Sequence, residues 1–412
     1  MNNQVLSKNI LIISPLFQPE INRINDMVEF FLEKGYSIKV MCPIPNYPQG
    51  EYYENYGIFK KRYEKFDNLE IIRIIVWPRK NGSKINIFLN YLSFICFSII
   101  PALKLSFKKI DIIFVNQVSP ITIALPGVII KKIKNVPLIM WVTDLWPESV
   151  KEGGNLKSDF LPNLIMPIVK FIYKNCNQIL TSSRGFIQSI KEKTTNSNLI
   201  YLPQWGEELF SKKIDNNFIN TDLEKIEDFK IIFAGNIGIA QDFECIIKAI
   251  NELRNHKIHL VVLGDGRERK NVIKKVEEMN LQNKVSFLGS FPIDKMPYFF
   301  EQADALLISL KKSIIFSKTI PAKTQSYLAF GKPIIANSDG EVSNIINESQ
   351  SGFASKSGNY IQLAENILKL SRMSDIEKQT MSENAKKYYR ENFNRENILE
   401  KLEGILLSTL KK

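Results

Sequence analysis

The sequence predicts an α/β protein with two doubly wound domains. Its 412 residues are too many for one typical hydrophobic core, so we expect two. Short apolar runs alternate with amphipathic segments of helical periodicity, an order typical of parallel sheets. The alternation begins again near residue 229, after a polar stretch rich in Asn.

The predicted strands are short runs rich in Ile, Val and Leu, as expected for strands that are covered on both faces. They cover residues 10–13, 37–42, 70–76, 111–115, 138–142, 177–182, 230–234, 259–263, 284–288, 305–309 and 333–336. Predicted helices lie between them, and the chain is helical from residue 360 onward. We expect a first domain over 1–205, a linker over 206–228, a second domain over 229–392 and a last helix over 393–412.

Basic residues outnumber acidic ones, and the formal net charge is +12. Such an excess attracts nucleic acid, anionic lipid or phosphorylated ligands. The sequence has no zinc-finger spacing, RNA-binding aromatic motif or helix-turn-helix pattern, so we expect no nucleic-acid partner.

Cysteine and histidine are scarce. Four Cys are spread singly and only two His occur, which disfavours a zinc site or a disulfide framework and favours a reducing cytoplasm. The first apolar run is too short for a signal peptide and is better interpreted as a strand.

The segment 80–109 is unusually apolar. From Ile85 to Phe107, 16 of 23 residues are apolar, and lysines flank the segment on both sides. We expect a helix that lies in the membrane interface, with its lysines at lipid phosphates. A buried helix of the first domain is the alternative. A full span is excluded because it would place the following strands on the wrong side of the membrane.

Polar residues follow several predicted strands at their carboxyl ends, where open α/β sheets bind ligands. In the first half these are Glu20, the PIPNYPQG loop with Asn46 and Tyr47, and the segment from Asp144 to Glu148. Asp144 is a candidate base or orienter for an acceptor hydroxyl, and a turn carboxylate is the alternative. The proline-rich loop is an acceptor-site loop or a rigid surface turn.

In the second half, two glycine loops follow strands. They are Gly235-Asn236-Ile237-Gly238 and Gly264-Asp265-Gly266. Glycine lets backbone N–H groups approach a phosphate, although tight turns use the same residues. The sequence has no G-x-G-x-x-G motif after its first strand, so a dinucleotide site is disfavoured.

The segment 316–341 predicts a helix over 322–330, which starts after Pro321 and ends at Gly331. A buried strand follows, and then a polar loop. The polar residues around this unit flank a predicted ligand crevice, and an ordinary solvated connection is the alternative. They are Ser317, Lys318, Lys323, Gln325, Asp339 and Glu341.

Within this segment, LAFGKPIIA resembles a motif of family 4 glycosyltransferases, which have the GT-B fold of two Rossmann-like domains facing a cleft. The longer stretch 315–341 resembles a branch that makes bacterial surface polysaccharide such as O-antigen and colanic acid. PNYPQG, WVTDLWPES and AGNIGIAQ resemble further segments of that branch.

The chain departs from the wider family at several positions. A family pair of Glu residues eight positions apart falls on Ser317 and Gln325. Thr143 replaces a His that often precedes Asp144. Asn236 and Gln241 stand where Arg and Lys commonly clamp the donor diphosphate, which makes Lys323 the candidate cation.

The resemblance implies a retaining, metal-independent glycosyltransferase of the hexosyl or N-acetylhexosaminyl type. The donor would be a nucleotide-diphosphate sugar, a substrate and not a cofactor. The acceptor would be a polyprenyl-diphosphate-linked glycan. The enzyme would be cytoplasmic, peripheral or monotopic at the inner membrane face, and its last helix would cross back to the first domain.

The resemblance also implies roles for the candidate residues, with Asp144, Lys323 and Glu341 as catalytic residues. The implied donor-binding residues are Gly235, Asn236, Gly238, Gly264, Asp265, Gly266, Ser317, Lys323, Gln325, Asp339, Gly340 and Glu341. The implied acceptor-binding residues are Glu20, Asn46, Tyr47, Asp144, Trp146 and Glu148. Two other functions stay open: a nucleotide-sugar 2-epimerase of the same architecture, and a non-catalytic membrane-bound scaffold.

Overall fold

The computed structural model of the chain describes residues 8–153, 160–195, 198–211 and 218–411. It divides into two compact units. The first comprises Met1–Leu202 with Leu399–Lys412, and the second comprises Pro203–Ile398.

Within its described residues, the first unit contains an eight-stranded sheet in the order β3-β4-β2-β1-β5-β6-β7-β8. All neighbours pair in parallel except β3 and β4, which are antiparallel. The strands are β1 (Asn9–Ile13), β2 (Ser37–Pro43), β3 (Tyr63–Phe66), β4 (Leu69–Ile74), β5 (Ile112–Gln117), β6 (Leu138–Val142), β7 (Gln178–Thr181) and β8 (Leu199–Tyr201). The helices are α1 (Arg23–Glu33), α2 (Lys84–Leu105), α3 (Leu125–Lys134), α4 (Glu148–Gly153), α5 (Phe160–Asn175) and α6 (Gly185–Lys191).

The described part of the second unit contains a six-stranded parallel sheet in the order β11-β10-β9-β12-β13-β14. Its strands are β9 (Phe229–Ala234), β10 (Ile258–Leu263), β11 (Val285–Gly289), β12 (Ala305–Ser309), β13 (Ile334–Asn337) and β14 (Gly352–Ser355). Its helices are α7 (Thr221–Glu224), α8 (Phe243–Glu252), α9 (Arg269–Glu278), α10 (Met296–Glu301), α11 (Ile314–Ser317), α12 (Ala322–Phe330), α13 (Glu341–Ser349), α14 (Tyr360–Ser371) and α15 (Asp375–Asn392). The last helix, α16 (Arg395–Leu410), begins in the second unit and ends in the first.

The strand order positions the ligand sites. In the first sheet β1 pairs with both β2 and β5, and in the second sheet β9 pairs with both β10 and β12. The chain reverses its direction of progress across each sheet at these strands, and α/β sheets bind ligands at such a point. The prediction of two doubly wound α/β domains is confirmed.

Residues 206–228, for which we expect a linker, belong to the second unit in their described parts. Phe210 and Leu223 are buried in its core, and the Phe218 ring packs edge-on against Tyr298. These few apolar residues could not be recognised as core residues because the segment around them is mostly polar. Positions 212–217 of the expected linker lie outside the described residues.

The antiparallel strand β3 carries Glu64, whose Oε2 lies 2.8 Å from Nη2 of Arg73 on β4. Arg73 is 1% exposed. A buried guanidinium needs such a partner because an uncompensated buried charge is strongly destabilising. Strand β3 therefore supplies the counter-charge for the buried Arg73 on β4, the last parallel strand on this side of the sheet.

Two glycines give opposite predictions for substitution by Ala. At Gly352, on β14, an added Cβ would lie 1.8 Å from the carbonyl oxygen of Ile334, so we expect Gly352→Ala to destabilise the protein by about 2 kcal/mol or more. Gly404 lies in α16 with no heavy atom within 4 Å of an added Cβ, so Gly404→Ala should stabilise by about 0.5–1 kcal/mol. Thermal unfolding midpoints test the pair. A Gly352→Ala protein as stable as the wild type would contradict this account.

Candidate active site

In the first unit, Glu20 joins the loops that follow β1 and β2. Its Oε1 accepts hydrogen bonds from the backbone N–H groups of Asn46, at 2.9 Å, and Tyr47, at 2.8 Å. Burial raises the pKa of Glu20, while these N–H groups and the charge of Arg79 act in the opposite direction. Glu20 therefore fixes the backbone of the PNYP loop beside the end of β1.

Arg79 lies in the same region, and the sequence analysis did not identify it. Its backbone N–H donates to Oδ1 of Asn46, and its Nε donates to Oδ1 of Asn90, each at 3.4 Å. The guanidinium carbon lies 5.4 Å from the ring centroid of Tyr47 and 5.8 Å from that of Tyr91. The position of Arg79 after strand β4, at a carboxyl end, was the available sequence clue.

Asp144 and Trp146 follow β6 and extend this cluster. The indole Nε1 of Trp146 donates to Asp144 Oδ2 at 3.1 Å and to Ser119 Oγ at 3.3 Å. The Trp146 ring lies 6.2 Å from the ring of Tyr91 in an edge-on arrangement. Burial raises the pKa of Asp144 to about 6, against hydrogen bonds that favour the carboxylate. Asp144 is therefore mainly ionised at pH 7.

The structure brings Glu20, Asn46, Tyr47, Asp144 and Trp146 to one edge of the first sheet. Glu148 differs from them, because it begins α4 and forms an ion pair with the buried Lys193. This pairing accounts for its charge and favours a structural role over acceptor binding.

In the second unit, the glycine loops after β9 and β10 lie directly against each other. The Ile237 N–H donates to the carbonyl oxygen of Asp265 at 2.8 Å. Gly264 has a φ of +134°, and an added Cβ there would lie 1.9 Å from the carbonyl oxygen of Gly235. Only glycine permits this approach without displacement of the backbone. An added Cβ at Gly266 would likewise lie 2.2 Å from the carbonyl oxygen of Ile237.

The polar side chains of these loops mainly stabilise the loops themselves. The Asn236 side chain lies against Gly238 and Gly266. Asp265 Oδ1 accepts from the N–H of Gly266 at 2.7 Å. Asn236 and Asp265 thus shape the loops whose backbone was predicted to contact a diphosphate.

Lys323, in the first turn of α12, extends its ammonium group to this loop pair. Its Nζ lies 3.1 Å from the position that a Cβ on Gly235 would occupy, and 3.8 Å from the ring centroid of Phe233. The Nζ atom is buried and has no hydrogen-bond partner among the described residues. Burial lowers the pKa of Lys323 to about 7. The structure therefore places a buried amino group, with no carboxylate partner among the described residues, beside the Gly235 loop.

The loops after β12 and β13 meet beside this region. Gly340 has a φ of +69°, and an added Cβ would lie 2.0 Å from the carbonyl oxygen of Ser317. Glu341 is the first residue of α13. Asp339 exchanges hydrogen bonds with Ser357: its N–H donates to Oγ at 3.0 Å, and its Oδ1 accepts from the Ser357 N–H at 3.2 Å. The backbone N–H and the carboxylate of Asp339 are therefore both used in hydrogen bonds to the loop that contains Ser357.

Gln325 does not suit the predicted ribose or diphosphate contact. The residue is 1% exposed. With the amide oriented to satisfy its hydrogen bonds, the side-chain nitrogen donates to the carbonyl oxygens of Pro321, at 2.9 Å, and Ala322, at 3.1 Å. These bonds stabilise the first turn of its own helix. The structure thus favours a structural role for this side chain.

No group of three or more His, Cys, Asp or Glu side chains in the described ranges is placed to hold a metal ion. His259 contacts Ser286 Oγ through its Nε2 at 2.8 Å.

Residues 215–388, which carry the glycine loops and Lys323, match the family model described as "Glycosyl transferases group 1". This part of the chain is a group 1 glycosyltransferase domain. The chain is 26% identical over 269 residues to a Pseudomonas aeruginosa protein named as a candidate glycosyltransferase, WbjE; this match covers 61% of the chain and 65% of WbjE, a little under two thirds. It is 24% identical over 336 residues to WcaI of Escherichia coli, named as a candidate colanic acid biosynthesis glycosyl transferase, with coverage of 78% and 81%.

Solved structures support the same assignment at the level of the fold. Sucrose-phosphate synthase from Thermosynechococcus elongatus superposes with a TM-score of 0.76 at 13% identity, over 97% of this chain and 98% of that one. HepE from Anabaena, in complex with UDP and glucose, superposes with a TM-score of 0.69 at 14% identity, over 97% and 100%. The predicted GT-B type of fold is confirmed, and the group 1 domain forms most of the second unit.

We expect the Asp144 carboxylate to titrate near pH 6, and the indole of Trp146 to report it. Above this pH the Trp146 N–H donates to a charged oxygen, so tryptophan fluorescence should change with a midpoint of about 6. Asp144→Asn should abolish the transition. A transition that persists in this variant would show that another group is responsible.

Proposed function

We propose that the chain is a retaining glycosyltransferase of bacterial surface polysaccharide synthesis. It would transfer a hexosyl or N-acetylhexosaminyl group from a nucleotide-diphosphate sugar to a polyprenyl-diphosphate-linked glycan. The observation that carries this proposal is the buried Nζ atom of Lys323, which has no hydrogen-bond partner in the described ranges and lies beside the Gly235 loop. The similarity to WbjE and to WcaI, which is named for colanic acid biosynthesis, supports a role in glycan synthesis.

A diphosphate is the ligand that best explains Lys323. A buried cation without a counter-charge is costly, and a bound anion removes that cost. The N–H groups of the four loop glycines already donate within the protein, so the loops would contribute close approach of the diphosphate to the backbone beside Lys323. In transfer from a nucleotide sugar the diphosphate is the leaving group, so the same contacts would stabilise the charge that develops in the transition state. The chemistry assigned here to Lys323 and the loops needs no metal ion.

The cluster around Asp144 provides the acceptor side of the proposal. An ionised, buried carboxylate can accept a hydrogen bond from a sugar hydroxyl and thereby orient it for attack. The buried Trp146 donates to it, and the exposed ring of Tyr47 lies beside Arg79 in the neighbouring pocket. In a retaining reaction the acceptor hydroxyl attacks on the same face that the diphosphate leaves. Glu341, at the start of α13, would orient the donor sugar.

The outer surface of the first unit supports a membrane-bound acceptor. Helix α2 is long and apolar enough to cross a membrane by length and composition, and only 22% of its most apolar window is buried. Helices α2 and α5 both pack on the turn 121–124, and each exposes large apolar side chains, which together we call the apolar face. The apolar face comprises Ile85, Phe88, Leu92, Phe97, Ile99, Ile100 and Leu103 of α2, and Phe160, Leu164, Ile168 and Phe171 of α5.

Positive charge accompanies the apolar face. Exposed lysines lie on or beside the same helices: Lys80, Lys84, Lys104, Lys108, Lys109, Lys132, Lys170 and Lys174. Apolar side chains with such lysines fit the interface of an anionic bilayer, each lysine contributing about 1 kcal/mol near the surface. The chain would thus lie peripherally or monotopically at the cytoplasmic face, where lipid-linked glycans are extended. The apolar face extends beyond the predicted segment 80–109 to α5.

The test of the function is a transfer assay with a lipid-linked acceptor and a panel of nucleotide sugars, read by mass shift and by NMR of the new anomeric carbon. We expect one sugar to be added with retention, in EDTA as well as in Mn²⁺. An epimerised sugar formed from donor alone would instead identify an epimerase. No transfer with any donor, or transfer that needs Mn²⁺, would contradict the corresponding part of the proposal.

Binding of a nucleoside diphosphate should be coupled to protonation of Lys323. Its pKa is about 7 without ligand, and a bound diphosphate raises it, so binding takes up a proton above pH 7 and weakens as pH rises further. Calorimetry with UDP, GDP, ADP and dTDP in buffers of different ionisation enthalpy measures this uptake. Lys323→Ala should abolish it and weaken binding about 10- to 100-fold. The control is Lys312→Ala, an exposed lysine in the same unit, and equal binding by both variants would contradict the assignment.

The apolar face should bind anionic vesicles. Burial of one Phe or Ile side chain is worth about 1.5–3 kcal/mol, so Phe97→Glu with Ile100→Glu should weaken binding to phosphatidylglycerol vesicles by about 100-fold or more. Leu164→Glu tests α5 separately. Ile376→Glu, at a residue 79% exposed on α15 of the second unit, is the control. Cosedimentation that is unchanged in the α2 and α5 variants would exclude this surface.

A further inference from the structure

Arg79 is held in place by neighbours that leave the end of its guanidinium group available. The contacts with Asn46 and Asn90 use its backbone N–H and its Nε, and the rings of Tyr47 and Tyr91 flank the guanidinium. Neither Nη atom has a hydrogen-bond acceptor among the described residues. The two Nη groups, which form the fork that pairs with phosphate, are therefore presented on a restrained support.

The electrostatic surroundings leave this charge without an ion pair. Glu20 is close enough for Arg79 to lower its pKa, but no carboxylate in the described ranges makes an ion pair with Arg79. The Glu20 Oε1 atom instead accepts the two backbone N–H groups of the PNYP loop. Glu20 thus acts on Arg79 only through space, and an anionic ligand would supply the direct contact that no carboxylate in the described ranges makes.

The location of Arg79 connects the acceptor cluster with the apolar face. Asn90 and Tyr91 lie on α2, and Tyr91 contacts Trp146, whose indole binds Asp144. Arg79, Asn46, Tyr47, Asn90 and Tyr91 line one pocket. Arg79 is thus connected through Tyr91 and Trp146 to Asp144, the carboxylate proposed to orient the acceptor hydroxyl. It also contacts α2, the helix that exposes apolar side chains.

We propose that Arg79 binds a phosphate group of the lipid-linked acceptor. This inference rests on the proposed function, because it assigns the diphosphate of that acceptor to a residue. The lipid would lie along the apolar face of α2, the phosphate at the fork of Arg79, and the sugar toward Asp144. Tyr47 and Tyr91 restrain the guanidinium, so that little conformational freedom is lost on binding.

A binding experiment tests Arg79 without requiring sugar transfer, so it remains informative if the proposed reaction is wrong. Geranyl diphosphate, geraniol and inorganic pyrophosphate are titrated into the full chain by calorimetry, all in the Lys323→Ala background to remove the main anion contact of the second unit. Arg79→Gln should weaken geranyl diphosphate binding about 10- to 100-fold and leave geraniol binding unchanged. Arg79→Lys keeps the charge but not the two-pronged guanidinium, so its affinity for geranyl diphosphate should lie between those of Arg79→Gln and the protein with Arg79 intact.

The matched control is Lys61→Gln, which removes an exposed cation that lies 5.2 Å from the ring of Tyr56, outside the pocket. Loss of geranyl diphosphate binding alone identifies a lipid-linked phosphate as the ligand. Parallel loss of pyrophosphate binding also supports the phosphate site and shows that a free anion fills it. Unchanged geranyl diphosphate binding in Arg79→Gln, or equal weakening of geraniol, overturns the proposal.

Transfer kinetics give a second readout that a purely structural role would not produce. With Lys323 intact, Arg79→Gln should raise KM for the diphosphate-linked acceptor with little change in kcat and no change in KM for the donor. An acceptor with the same sugar on an uncharged lipid should show no difference between the variant and the wild type. An equal loss with both acceptors would show that Arg79 only maintains the loop.

Discussion

The candidate site of the second unit depends on one electrostatic constraint, which is that the amino group of Lys323 is buried with no hydrogen-bond partner in the part of the chain that the structure describes. The ring of Phe233 at 3.8 Å offsets part of the desolvation, since an aromatic face attracts a cation. The remaining cost appears as the lowered pKa. Gly235 leaves room for Nζ, and Gly264 lets the second loop lie against the first. These neighbouring features are consistent with a site that is electrostatically incomplete until an anion is bound.

Most of the fold could be predicted because the strands of both sheets are continuous apolar runs. Ile10 to Ile13 and Leu138 to Val142 are buried on both faces and appear in the sequence as unbroken hydrophobic segments. Two of the edge strands could not be found in this way. Strands β3 and β14 are short and only partly buried, so no apolar run marks them. Helix α13 starts where the polar DGE segment suggested a loop.

Parts of the candidate site could be predicted where the backbone conformation requires a particular residue type. Parts in which the direction of a side chain determines its contacts were harder to predict. The glycine loops could be located because glycines follow two predicted strands directly, although the residues alone did not distinguish a ligand loop from a tight turn. Lys323 became the candidate cation because Asn236 and Gln241 stand where the family commonly has Arg and Lys. The burial of Gln325 could not be predicted because α12 is buried on nearly all sides, from Thr324 to Phe330, so its sequence has no polar stripe that distinguishes one side from another. Arg79 was missed because its restraint comes from two rings distant in sequence.

The pairing of Glu64 with Arg73 also has a consequence for self-association. Strand β3 is the outermost strand of the first sheet, and an outermost strand is where another chain can add by backbone pairing. If β3 detached, Arg73 on β4 would lose its carboxylate partner, which costs about 3–5 kcal/mol wherever the guanidinium stays buried. The ion pair therefore holds β3 on the edge of the sheet. It disfavours the form with β3 detached, from which fibrous or domain-swapped assemblies would grow.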